Sequence, residues 1–127
     1  MSLTTPQKIH WHRESNQLEL VYGSESFSFE AEFLRVHSTS AEVKGHGPGQ
    51  EVLVDGKIDV AIKKIEPVGN YGLKILFDDG HDTGIYTWAY LQALGQQKQQ
   101  YWQAYLDKLV NENKTRDPHT NVIHFPQ

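Results

Sequence analysis

Near residue 85 the apolar residues of this chain change from a spacing of two to a spacing of three and four, and that switch narrows the fold class before any motif is considered. Upstream, Leu18, Leu20 and Tyr22 alternate with Gln17, Glu19 and Val21; residues 23–26 supply a turn, and Phe27 and Phe29 resume the alternation. This pattern predicts a hairpin with one apolar face. Residues 31–36 lack Gly and Pro and fit one or two helical turns. Ile58, Val60 and Ile62 predict another strand, as do Tyr71, Leu73, Ile75 and Phe77. Residues 67–70 link them, too short a connection for a parallel crossover, so the pair is expected to be antiparallel. From Ile85 to Leu94 the spacing becomes helical, Gly95 reads as a stop, and a second helix is expected from about Gln96 to Asn111. Its apolar stripe is Trp102, Tyr105, Leu106 and Leu109.

Strands first and helices last make an α+β chain: a mainly antiparallel β-sheet with a helical C-terminal part, in a single domain. The expected boundaries are a flexible leader over 1–7, the domain over 8–111 and a mobile polar tail over 112–127, in which Val122, Ile123 and Phe125 are able to dock. With 127 residues such a domain can bury a core without disulfide or metal support.

Charge and cysteine content close several function classes. The chain has no Cys, so by itself it forms no disulfide, no thiolate zinc or iron–sulfur site and no cysteine nucleophile. A formal charge of -4 counts against nucleic acid or an anionic membrane as a partner. No apolar run approaches the roughly 20 residues of a membrane span, and residues 1–6 lack a signal peptide's hydrophobic stretch, so a cytoplasmic location is expected.

The most informative stretch is residues 77–86, which sets Asp78, Asp79, Asp82 and His81 at the end of a strand just before a helix. Imidazole with carboxylate suits zinc or iron(II), whereas carboxylates alone favour magnesium or calcium. The same residues have a structural reading, since Asp-Gly makes turns, Asp82 or Thr83 can cap a helix and His81 can be a satisfied structural group. The spacing does not match the iron(II) oxygenase triad, because position 83 is Thr. His10 and His12, two apart, face one side of a strand and can in principle both ligate a metal, although structural histidines are the commoner case. Residues 45–49, with His46, form a Gly-rich loop without the Lys-Ser/Thr ending of a phosphate cradle. Ser38, Thr39 and Ser40 beside His37 lack a nucleophile elbow.

Leu34-Arg35, the run Val68-Gly69-Asn70-Tyr71 and the block at 77–86 resemble, in order and spacing, the family of gamma-butyrobetaine hydroxylase-like N-terminal domains, over about residues 8–94. The resemblance implies a module without an established activity of its own. Relatives stand alone, precede the catalytic domain of carnitine-forming oxygenases, or are joined to P-loop ATPases that carry iron–sulfur clusters. In the oxygenases it implies a zinc site of three cysteines and one histidine. The histidine falls here on His81 and the cysteines on Ser38, Ser40 and Val43. Serine is a poor ligand and valine none, which leaves two alternatives. Hydrogen bonds and packing stand in for the metal, or His37, Glu42 and His81 hold zinc or iron. The first is favoured, with no cofactor. The oxygenase's iron and oxoglutarate site belongs to a separate domain, so that activity is not expected. The resulting expectation is a non-catalytic accessory or interaction module. Its binding surface would lie around Asp78, Asp79, Asp82 and His46, and its partner would be a protein such as an iron–sulfur carrier ATPase. An enzyme would need a pocket with convergent perturbed groups near Asp78, Asp79 and His81.

Overall fold

The computed structural model describes residues 5–39, 53–81 and 84–119. Its elements run β1 (Lys8–His12), β2 (Gln17–Tyr22), β3 (Glu25–Glu30), α1 (Ala31–Val36), β4 (Ile62–Val68), β5 (Gly72–Phe77), β6 (Ile85–Thr87), α2 (Trp88–Gln96) and α3 (Lys98–Asn111). They form two antiparallel three-stranded sheets, β1-β2-β3 and β4-β5-β6, with α1 between them in the chain and α2 and α3 after the second. The α+β expectation therefore holds, and the antiparallel sheet is realised as two. Among the described residues no helix is long and apolar enough to cross a membrane.

Period-two alternation builds the sheets. Leu18, Leu20 and Tyr22 are buried while Gln17, Glu19 and Val21 are partly exposed, and cross-strand pairing sets Leu18 opposite Phe29 and Leu20 opposite Phe27. In the second sheet Leu73, Ile75 and Phe77 point inward and share one core with the first sheet's residues, α1's Phe33 and Leu34, and α2's Leu91 and Leu94. Each fully buried side chain of this size is worth about 1.5–3 kcal/mol, which lets a helix as short as α1 persist. All six of its residues are buried.

Four sequence-based boundaries are corrected. The strand expected at Ile58–Ile62 begins only at Ile62 and runs through Pro67, because β4 is an edge strand, where a missing ladder N–H is tolerated. Ile85 does not open a helix: Ile85–Thr87 pairs with β5, with Tyr86 opposite Leu73, and burial alternates along it. The helix starts at Trp88, where the Thr87 hydroxyl accepts the Tyr90 N–H at 3.1 Å, so Thr87 is the cap; Asp82 and Thr83 lie outside the described residues. Gly95 is not the stop but lies inside α2, because a Cβ there would run into the Phe27 ring.

Two long-range ties hold the ends. Asn16, at positive φ in the β1–β2 turn, donates its amide to Val60 O at 2.7 Å and accepts Ile62 N–H at 3.2 Å. Beyond α3, Thr115 O and Arg116 O accept N–H groups of Gly56 and Ile58, and Arg116 grips the buried Glu32 carboxylate with two bonds of 2.6 and 2.8 Å. Residues 112–117, the start of the expected tail, are thus tied to the body.

Candidate functional site

The site begins where β5 ends. Gly80, at φ +90, lets the chain double back so that Phe77 N–H donates to His81 O at 3.0 Å and Gly80 N–H to Phe77 O at 3.1 Å. The reversal presents Asp78, Asp79 and His81 to three different neighbours. Asp78 exchanges bonds with Ala61, its N–H donating to Ala61 O at 2.9 Å and its Oδ1 accepting Ala61 N–H at 3.0 Å.

Asp79 is the electrostatic centre. Its Oδ1 accepts the His81 N–H at 3.1 Å, and its Oδ2 lies 2.8 Å from Arg35 Nε and 2.7 Å from Lys57 Nζ. Partial burial alone would raise its pKa; the Lys57 ammonium, the His81 N–H and the Arg35 guanidinium outweigh that and hold it at about 2. The carboxylate is ionised at any physiological pH. Arg35 Nη1, in contrast, is buried and has no hydrogen-bond partner among the described residues.

His81 is 6% exposed, and its Nε2 lies 2.9 Å from Oγ of Ser38, itself 1% exposed. This bond joins the loop after β5 to the segment after α1. Neighbouring contacts reinforce the same seam: Tyr86 OH donates to Leu34 O at 2.5 Å, Tyr90 OH to His37 O at 2.7 Å and Thr39 Oγ1 to Ile85 O at 2.5 Å. Leu34 O is one of the carbonyls that the end of α1 leaves without an intrahelical partner, and a tyrosine satisfies it. Burial pushes the Tyr86 hydroxyl above the usual phenol range, so it stays a donor. Gly84 completes the seam, because a Cβ there would collide with Ser38 Oγ.

His37 is engaged elsewhere. Its Nδ1 donates to Phe33 O at 2.7 Å, and its ring packs at 4.4 Å from that of Phe33, 5.6 Å from Tyr101 and 6.3 Å from Tyr105. Burial pushes its imidazole below the usual histidine range. Of the sequence-derived candidates, the structure joins Ser38 with His81 and gives His37 a separate aromatic setting. Glu42, His46, Ser40, Val43 and Asp82 lie outside the described residues.

No spacing rule marks Arg35 or Lys57, which decide the state of Asp79; Arg35 at least stands in the Leu-Arg pair, whereas nothing local marks Lys57. The described donors do not fit structural zinc. Ser38 offers a neutral hydroxyl already paired with the Nε2 nitrogen of His81, and among the described residues no three His, Asp or Glu side chains form a ready-made metal cage. A serine this buried is equally unable to meet a substrate. A separate cleft of about 440 Å³ lies between α1 and α3, lined by Phe33, Trp102 and the Glu32–Arg116 pair among others.

Comparison with known proteins agrees with this architecture. A protein solved by NMR in solution is 48% identical over 95% of this chain and 96% of its own, with a TM-score of 0.81. A second NMR structure is 39% identical over 97% and 93%, with a TM-score of 0.76. The crystal structure of a protein of unknown function of the DUF971 family, from Acidithiobacillus ferrooxidans, is 32% identical over 72% of this chain and 93% of that one, with a TM-score of 0.60. No curated protein matches. The family described as gamma-butyrobetaine hydroxylase-like, N-terminal, matches residues 9–92, and the chain belongs to that family.

Proposed function

We propose that this chain is a non-catalytic accessory module that works by binding another protein, and that the loop after β5 is a structural latch within it. The supporting observation is the engagement of its described ionisable groups. Asp79 is clamped between Lys57 and Arg35, Asp78 is bonded to Ala61, and His81 is buried against Ser38. A general acid or base has to reach a substrate and change protonation near the working pH. Asp79, held at about 2, does not change protonation there, and His81 at 6% exposure is out of reach.

The partner class follows from the family resemblance, in which this domain is joined to iron–sulfur carrier ATPases. The test is a titration of the isotope-labelled chain with such an ATPase purified from the same genome, followed by NMR. Saturable 1:1 shifts on one contiguous surface are expected; unchanged spectra at several hundred micromolar partner would refute the partner assignment. The alternative, zinc or iron held by His81, His37 and Glu42, has less support. His81 already engages Ser38 through Nε2, and His37 is packed among Phe33, Tyr101 and Tyr105; stoichiometric metal lost in His81→Ala would be its signature.

A further inference from the structure

The solvent face of the first sheet carries a group of ligating side chains that the latch does not use. Strand alternation places His10 and His12 of β1 on one face, and the antiparallel register sets Glu19 of β2 directly opposite His10. That face is the outer one, because the residues flanking Glu19, Leu18 and Leu20, are both buried in the core. The two imidazoles stack with centroids 6.0 Å apart and planes 20° from parallel. Glu19 Oε1 lies 3.1 Å from His12 Nε2, and Oε2 accepts the Ser26 hydroxyl at 3.0 Å. The serine thereby orients the carboxylate, the role an outer-shell partner plays for a metal ligand.

The geometry points to a divalent transition-metal site, filled by zinc or a similar borderline ion, with His10, His12 and Glu19 as its ligands and its remaining positions open to water. Two neutral imidazoles and one carboxylate are the donor set such ions prefer, and the carboxylate offsets part of the ion's charge. The three groups are not yet wrapped around a common point, and among the described residues no three such side chains are already arranged to hold an ion. Both imidazoles stand on the exposed face, where side chains are free to change rotamer toward solvent, while the paired strands keep the three Cβ atoms in place. This site is independent of His81 and of the latch.

The test is a titration of the untagged, isotope-labelled chain with zinc chloride at neutral pH, read by NMR, on the wild type and on His10→Ala, His12→Ala and Glu19→Gln. Saturable 1:1 binding is expected, with shifts gathered on residues 8–12 and 17–21. Each histidine variant should weaken binding at least tenfold and Glu19→Gln severalfold, while His119→Ala leaves it unchanged. Metal-free melting temperatures close to wild type would establish that the variants fold. Shifts centred on His37 or His81, non-saturating shifts at every histidine, or an affinity unchanged in His10→Ala would each overturn the assignment.

Discussion

Ser38 Oγ and His81 Nε2 meet at 2.9 Å in the interior, joining two segments separated by 43 positions in the chain. A family resemblance implies zinc at this place, and here a hydroxyl and an imidazole make the connection. A metal staple and a hydrogen bond differ in energy by an order of magnitude: structural zinc contributes about 10–16 kcal/mol of binding, a hydrogen bond about 0.5–1.5 kcal/mol net. The remainder of the seam therefore has to come from packing and from the Tyr86, Tyr90 and Thr39 bonds beside it.

Asp79 makes the fold acid-sensitive in a defined window. Its folded pKa, about 2, lies below the ordinary 3.8, so its contribution is complete above pH 3.8 and is lost as pH falls through 2. Because part of the carboxylate faces water, that contribution is on the order of 1 kcal/mol. Asp79→Asn is expected to lower stability by this amount at pH 7 and to flatten the urea-unfolding stability profile between pH 4 and 2. An unaltered profile would mean that Lys57 and Arg35 do not hold the carboxylate.

His37 acts in a higher window. Its folded pKa is depressed by burial, so the unfolded chain binds the proton more readily and stability is lost as pH falls below about 6.5. Chemical denaturation from pH 7.5 to 5 should show the loss, and His37→Gln should reduce it. The His37 ring resonances should titrate below the ordinary histidine value of about 6.5. A His37 midpoint at or above 6.5 would contradict the burial assigned to it.

Gly95 separates propensity from packing. On helix propensity alone Gly95→Ala should stabilise α2 by about 1 kcal/mol. Since the added Cβ would enter the Phe27 ring, the expected outcome is a destabilisation of about 1–3 kcal/mol, with α2 shifted off the first sheet. A raised melting temperature would mean the close approach is not maintained in solution.

These residues also separate what is local in the sequence from what only tertiary packing decides. Leu18, Leu20 and Tyr22 declare a half-buried strand because alternation is a local signal, and Trp102, Tyr105 and Leu109 declare a helix face in the same way. Pro67 and Gly95 mislead because their usual meaning is local while their actual setting is tertiary: an edge strand for one, a ring pressed against the backbone for the other. Three residues are too few for Ile85–Thr87 to show a period, and only pairing with β5 makes them a strand. In the site, His81 and its aspartates stand out by chemistry. Lys57 does not, because its partner Asp79 lies 22 positions away and no spacing rule connects them.

The most direct test of the latch is a double-mutant cycle on Ser38→Ala and His81→Ala, measured by urea unfolding of the two single variants, the double variant and the wild type. A coupling energy of about 1 kcal/mol is expected, because removing either partner removes the same hydrogen bond. Losses that add to within about 0.3 kcal/mol, with His81→Ala costing several times more than Ser38→Ala, would show that His81 is held by something other than Ser38 and would contradict the replacement of a metal by a hydrogen bond.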